Sequence, residues 1–179
     1  MELLDRLTLF SPLDYSAIIG LILLWLLISW RIEHPSEKNP SVSVVMAEYR
    51  REWMRQMITR DPRIYDATIL GNLRQGTAFF ASASMISIGG ILALVGNTEQ
   101  LIGIAGDLSI DHVPEIVWEV KLIVTLFFVT NAFLKFVWSN RLFGYCAVVM
   151  SSVPNEIDHP LTMPRAMKAA EINITAARG

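Results

Sequence analysis

The chain has 179 residues, of which 53% are hydrophobic and only 18% are charged, and its formal net charge at pH 7 is −2. This length suits one domain, 1–179, and the apolar excess favours a membrane protein over a soluble one. Basic and acidic residues are interleaved, so the sequence shows no basic surface for nucleic acid. The single cysteine, Cys146, excludes an internal disulfide and is expected to be a small packing residue.

The first apolar segment covers residues 13–30. In a helix it would extend about 27 Å, close to the roughly 30 Å of a bilayer hydrocarbon core. Tyr15 and Trp30 lie near its ends, where aromatic rings favour the headgroup level, and Arg31 follows directly. The residues before it lack the basic start and the small-residue cleavage site of a signal peptide. We therefore expect a retained transmembrane helix.

Residues 41–75 are predicted to form a cytoplasmic helical segment. Its first helix carries an apolar stripe at spacings of three and four, formed by Val42, Val45, Met46, Tyr49, Trp53 and Met57. Asp61 is expected to cap a second helix, and Pro62 is expected to occupy its first turn. Since no proline interrupts that helix, we expect it to continue through the second span, 76–95.

A line of small residues follows this second helix. On a helical wheel they fall within about 40° of one direction, and the set is Gly71, Gln75, Ala78, Ser82, Gly89, Ala93 and Gly96. Small side chains allow another membrane helix to approach closely. We therefore predict a helix-packing surface formed by Gly71, Ala78, Ser82, Gly89 and Ala93.

The third span is predicted over residues 118–138, with Trp118 and Trp138 as interface anchors. Lys121 and Lys135 are expected to extend towards opposite membrane surfaces. Asn131 lies one helical turn before Lys135, which predicts either a pore-lining pair or a site for a lipid phosphate. The alternative is that Lys135 only reaches the cytoplasmic surface beside Trp138.

Basic residues are concentrated between the first two spans. That interval holds Arg31, Lys38, Arg50, Arg51, Arg55, Arg60, Arg63 and Arg74, whereas residues 96–118 contain no lysine or arginine. Because lysine and arginine favour the cytoplasmic side, the N-terminus is predicted outside and the C-terminus inside. The polar tail, 151–179, is then cytoplasmic, with Thr162 expected to cap a helix over residues 166–177.

Five of the arginines of the cytoplasmic segment are a candidate surface for lipid headgroups or a protein partner. Together with Trp53 the set is Arg50, Arg51, Arg55, Arg60 and Arg63. Near an anionic membrane each arginine contributes about 1 kcal/mol. The alternative is that this segment covers the cytoplasmic ends of its own bundle, in particular residues 142–150. Asp66 is expected to pair with Arg63 or Arg74.

Residues in the middle of the chain follow a fixed order: Arg51, Trp53-Met54, Met57, Arg60-Asp61-Pro62-Arg63-Ile64, Asp66 and Phe79-Phe80-Ala81-Ser82. With weaker support from Asn131, Lys135 and Tyr145, this pattern resembles the family catalogued as domain of unknown function 599. The resemblance begins near Leu13 and implies a bacterial inner-membrane protein of helical-bundle type, without implying an activity. It also implies a further apolar segment, so either a fourth span follows Gly179 or this member is short.

Little in the sequence indicates catalysis, a metal or a cofactor. His34, His112 and His159 stand in loops, and no two histidines share a helix at ligand spacing. The serines of the second span have no histidine or aspartate at a helpful spacing, and no phosphate-binding loop occurs. We therefore expect a protein that is not an enzyme and holds no metal or cofactor.

Together these features predict an all-α polytopic transmembrane helical bundle with three spans and a cytoplasmic amphipathic helix. The favoured function is a scaffold or accessory subunit that contacts membrane lipids and either other membrane-protein subunits or a second copy of itself. The alternative is an oligomeric channel or transporter lined by Ser82, Ser87, Asn131 and Lys135. A small-residue face filled by protein favours the scaffold, whereas one facing a water-filled cavity favours the channel.

Overall fold

The computed structural model of the chain describes residues 10–34, 40–99, 102–103 and 114–178. Over these ranges the chain forms five long helices and no strand, which confirms the all-α prediction. The helices are α1 (Pro12–Glu33), α2 (Val42–Met57), α3 (Ile64–Val95), α4 (Glu115–Ser151) and α5 (Thr162–Arg178). Most of the connection expected on the outer side of the membrane, and His112 with it, lies outside the described residues.

Three of these helices, α1, α3 and α4, are long and apolar enough to span a membrane. They contain the predicted spans 13–30, 76–95 and 118–138, and their most apolar stretches are not buried inside the chain. Leu24 is 59% exposed and Ile86 is 76% exposed. Apolar surface of this extent is not tolerated in water, whereas a bilayer solvates it. The chain is therefore a membrane protein.

The described residues group into two compact units. The first falls within Met1–His34 and Ser84–Asn131, and the second within Pro35–Ala83 and Ala132–Gly179. Helices α3 and α4 contribute residues to both units.

In the first unit, a capping box defines the start of α1. The Ser11 hydroxyl accepts from the Asp14 N–H at 3.2 Å, and the Asp14 carboxylate accepts from the Ser11 N–H at 3.0 Å. The same carboxylate forms an ion pair with Lys121 of α4 at 2.6 Å. Lys121, expected to extend towards a membrane surface, thus pairs with one of the two acidic residues of α1.

Aromatic side chains join α1 to α4 further along the first unit. The Trp25 ring meets the Phe128 ring edge to face, with centroids 5.7 Å apart. Phe127 makes a similar contact with Trp25 at 6.5 Å. Such tilted ring pairs are favourable beyond the area that they cover.

The core of the second unit is built around α5. The sequence suggested a polar tail there, but seven residues of the helix are buried: Thr162, Ala166, Ala169, Ala170, Asn173, Ile174 and Ala176. Most of these side chains are small, so α5 lies close to its neighbours. Met54 and Met57 of α2 and Phe143 and Cys146 of α4 pack into the same cluster.

Helix α2 buries only the end of the predicted stripe, where Met57 is buried and Trp53 packs against the core. Ala47, Met54 and Met57 are buried, whereas the exposed members of the stripe are Val42, Val45, Met46 and Tyr49. The reason is that α2 packs against α5. An alanine-rich helix accommodates the small Ala47, and Arg50 beside it finds a polar partner there. A count of large apolar residues does not detect such a face.

The starts of α3 and α5 also differ from prediction. Helix α3 begins at Ile64, so Asp61 and Pro62, joined by a cis peptide bond, lie before the helix and neither caps it nor enters its first turn. Thr162 is the first residue of α5 and not its cap. Its hydroxyl donates to the Glu156 carbonyl at 2.7 Å, which fixes the preceding loop to the helix.

We predict that Ala169→Leu destabilises the second unit, because the Ala169 side chain is fully buried against the neighbouring helices. Overpacking of a closed core costs about 1–3 kcal/mol. Unfolding in mild detergent, followed by tryptophan fluorescence, should occur at lower temperature. The matched control is Ala177→Leu on the exposed side of α5, and equal effects of the two substitutions would show that α5 is not packed as described.

Candidate functional site

The predicted helix-packing surface of α3 is open within the described part of the chain. Gly71, Ala78, Ser82, Gly89 and Ala93 are all exposed. A Cβ atom built on Gly71 or on Gly89 would have nothing within 4 Å. The described residues of this chain therefore leave the surface free for another molecule, and its role in helix packing stays a prediction.

Arg50 points into the protein. It is half-buried, and its Nη1 donates to the side-chain oxygen of Asn173, which is fully buried in α5. The Asn173 amide also faces the Cys146 sulfur at 3.7 Å, and the Cys146 thiol donates to the Ala169 carbonyl at 3.4 Å. Burial lowers the pKa of Arg50, since the charged form loses hydration. A neutral amide compensates this loss only in part.

Arg51 and Arg55 form ion pairs near the surface of α2. Arg51 Nε donates to Glu171 of α5 at 2.8 Å, and its Nη1 donates to Glu48 at 2.7 Å. The bond to Glu171 raises the pKa of Arg51. Arg55 pairs with Glu52 one turn earlier at 3.3 Å. The first of these contacts ties α2 to α5, whereas the second lies within α2.

Arg60 and Trp53 converge on one buried carboxylate. The Asp66 side chain is completely buried, and its Oδ1 accepts from Trp53 Nε1 at 2.7 Å and from Arg60 at 2.5 Å. The expected partners, Arg63 and Arg74, were wrong, since Arg60 takes this position. A buried carboxylate needs such donors, and loss of one partner from a buried pair costs about 3–5 kcal/mol.

Arg63 binds the turn that follows α4. Its two terminal nitrogens donate to the carbonyls of Val153 and Pro154, each at 2.8 Å, and Arg165 donates to the Ser152 carbonyl at 2.6 Å. Backbone carbonyls in such a turn have no partner in a regular helix and need donors from elsewhere. Two guanidinium groups supply these donors. All five candidate arginines therefore have partners within the chain.

The other two candidates, Asn131 and Lys135, fall in different units. Asn131 is half-buried in the first unit, while Lys135 is exposed in the second. Lys135 lines a cavity of about 570 Å³ together with Arg50 and Arg178. We call this space the cation cavity, because three positive side chains and no acidic side chain occur among its described lining residues.

The walls of the cation cavity come from α3, α4 and α5. Phe80 and Phe136 stack with ring centroids 5.3 Å apart and form an apolar wall. The Thr77 hydroxyl in the lining already accepts from Asn140 at 3.1 Å and donates to the Arg74 carbonyl at 2.9 Å. The exposed charges of Lys135 and Arg178 are thus the groups best able to bind a ligand.

The second unit contains another, smaller cavity. It has a volume of about 320 Å³ and is lined largely by apolar residues, with Arg63 and Arg74 at its edge. Gly71 of the helix-packing surface also lines it. Over the described residues, no group of three or more His, Cys, Asp or Glu side chains is placed to hold a metal ion.

Comparisons with known proteins give a family and no activity. The family model described as "Protein of unknown function, DUF599" matches residues 16–179. Searches among curated proteins and among solved structures find no match to this chain. The family thus agrees with the resemblance of the residues between Arg51 and Ser82.

We predict that Arg63→Met destabilises the junction after α4 by about 1.5–3 kcal/mol, the typical contribution of hydrogen bonds from a charged group. Amide hydrogen exchange at the last turn of α4 should accelerate. Arg55→Met is the matched control, because its ion pair with Glu52 is exposed and lies within one helix. Unchanged exchange at residues 148–154 in the Arg63 variant would contradict the role of Arg63 in holding this turn.

Proposed function

The chain belongs to the DUF599 family, and we propose that it is a non-enzymatic scaffold or accessory subunit of a membrane assembly. In this proposal it associates through α3 with a second copy of itself or with another membrane protein. The proposal includes no catalytic activity and no cofactor.

The exposed line of small residues on α3 is the observation that carries the proposal. Membrane helices gain no hydrophobic driving force from association, so they associate through close van der Waals packing at small residues. Gly71 and Gly89 leave open space where a partner helix would fit, and Ser82 lies between them. Large side chains on this helix, such as Phe79 and Ile86, are also exposed and suit contact with lipid.

The exposed apolar half of α2 supports a second contact. Val42, Val45, Met46 and Tyr49 lie at the start of that helix, away from the face packed on α5. A helix with such a face binds a membrane surface or a partner helix. Because the arginines of this segment have partners within the chain, we infer that α2 would contribute to binding mainly through its apolar side chains.

The proposed location is the bacterial inner membrane, with the N-terminus outside and the C-terminus in the cytoplasm. The support is the distribution of lysine and arginine, eight of which lie between the first two apolar spans, 13–30 and 76–95. In this orientation α2 and α5 lie on the cytoplasmic side, where anionic lipids attract basic residues.

We predict that the double substitution Ser82→Leu and Gly89→Leu dissociates the assembly, because two leucine side chains would hold the partner helix away. Size-exclusion chromatography with light scattering, in mild detergent, should show a smaller protein mass than for the wild type. Gly90→Leu is the matched control. It adds the same side chain to open space one residue away, about 100° around the helix.

An assembly that keeps its mass in the double variant would overturn the role of this surface. Rapid ion flux through liposomes containing the wild-type protein, lost in the double variant, would favour the channel alternative over the scaffold. Absence of ion flux through liposomes that contain the wild-type protein, together with dissociation of the double variant, would support the scaffold.

We predict opposite labelling of two engineered cysteines if the proposed orientation is correct. In a Cys146→Ala background, Glu99→Cys should react with a membrane-impermeant maleimide in intact spheroplasts. Lys168→Cys on α5 should react only after the membrane is permeabilised. Both positions are exposed in the structure, so reversal of this pattern would contradict the orientation and not reflect burial.

A further inference from the structure

The cation cavity contains more positive charge than its described surroundings neutralise. Arg50, Lys135 and Arg178 line it, and the described lining includes no aspartate or glutamate. None of the three forms an ion pair with a described carboxylate, whereas Arg51, Arg55 and Arg60 all do. The unbalanced charge at this position favours an anionic ligand.

The unbalanced positive charge is more costly because Arg50 is half-buried. Its described side-chain partner is the neutral oxygen of Asn173, although the guanidinium has lost part of its hydration. An anion in the cavity would replace part of the hydration that the Arg50 guanidinium has lost. Lys135 and Arg178 are exposed and long, so both can adjust to the ligand.

The apolar wall of the same cavity suits a ligand that has an apolar part. Phe80 and Phe136 belong to α3 and α4, two of the helices apolar enough to cross a membrane. Arg50 and Arg178 come from α2 and α5, which are not such helices. One cavity thus joins membrane-type walls to cationic groups. Its volume of about 570 Å³ falls in the range of small-molecule sites.

We propose that the cation cavity binds one anionic phospholipid. Its phosphate lies between Lys135 and Arg178, close enough to be attracted by the positive charge of Arg50. The upper part of one acyl chain lies along Phe80 and Phe136. Basic pockets between membrane helices on the cytoplasmic side are a known means of binding anionic headgroups. This site is independent of the helix-packing surface of α3.

The test is native mass spectrometry of the full chain in mild detergent, titrated with phosphatidylglycerol or with phosphatidylcholine of the same acyl chains. We expect one molecule of phosphatidylglycerol to bind at least about tenfold more tightly than phosphatidylcholine, because each basic group near the headgroup contributes about 1 kcal/mol. Equal binding of the two lipids would overturn the proposal.

Removal of charge should weaken the site without disturbing the fold. Lys135→Gln with Arg178→Gln should reduce the affinity for phosphatidylglycerol about 30-fold, from two lost contacts of about 1 kcal/mol each. The matched control is Arg141→Gln with Lys168→Gln, two exposed basic residues outside the cavity lining. A loss of the same size in both double variants would show a general surface effect and overturn the site.

Filling the cavity with a larger side chain should prevent lipid binding without any change in charge. Gly76 lines the cavity, and a Cβ there would have nothing within 4 Å, so Gly76→Leu should be folded and should prevent lipid binding. Gly90→Leu, outside the cavity lining, should bind as the wild type does. Full retention of phosphatidylglycerol by Gly76→Leu would overturn the proposal.

A last arm distinguishes a lipid headgroup from a free phosphate. Inorganic phosphate at millimolar concentration should not displace bound phosphatidylglycerol, because it cannot use the apolar wall. Displacement at that concentration would assign the cavity to a free anion and would overturn the assignment to a lipid.

Discussion

The structure of the second unit depends on the close approach of α2 to the alanine face of α5. Ala166, Ala169 and Ala170 are fully buried, and Asn173, one turn further, is the polar centre of that face. Its side chain accepts from Arg50 and faces the Cys146 sulfur, so one amide joins α2, α4 and α5. A larger residue at any of the alanines would separate the helices and break this polar junction.

This packing decides what the basic residues can do. Once α2 lies on α5, Arg51 reaches Glu171, while Arg63 and Arg165 reach carbonyls of the turn that follows α4. The arginines that the sequence offered to lipid headgroups are thus used largely to hold the helices together. Among the basic residues without a described ion pair, Lys135 and Arg178 face the cation cavity. Any binding of anionic lipid through these side chains should therefore be localised and not spread over the surface of α2.

The sequence predicted the features that depend on long apolar runs and on helical periodicity. The membrane helices α1, α3 and α4 were predicted because no soluble fold tolerates such runs on its surface. The small residues of α3 were found with a helical wheel, since their arrangement is local to one helix. The same wheel on residues 166–176 would have shown alanines at spacings of three and four, which was the available signal for the buried face of α5.

Other features depend on contacts between residues far apart in the sequence, which helical periodicity does not predict. The buried face of α2 coincides only in part with its apolar stripe, because α2 packs on α5, where Arg50 has a partner 123 residues later in the chain. The choice of Arg60 over Arg63 for Asp66 follows from the loop geometry between α2 and α3, which composition does not specify. Arg178 was not recognised as a site residue, because only the fold brings the end of α5 beside Lys135.

The central claim is that the chain leaves one helix face and one charged cavity to be filled by other molecules of the membrane. Native mass spectrometry of the wild-type protein, released from its own membrane in mild detergent, tests this claim most directly. We expect a mass above that of one chain, from a second copy or another membrane protein, with at least one anionic phospholipid retained. A single chain that carries neither protein partner nor lipid would contradict the account.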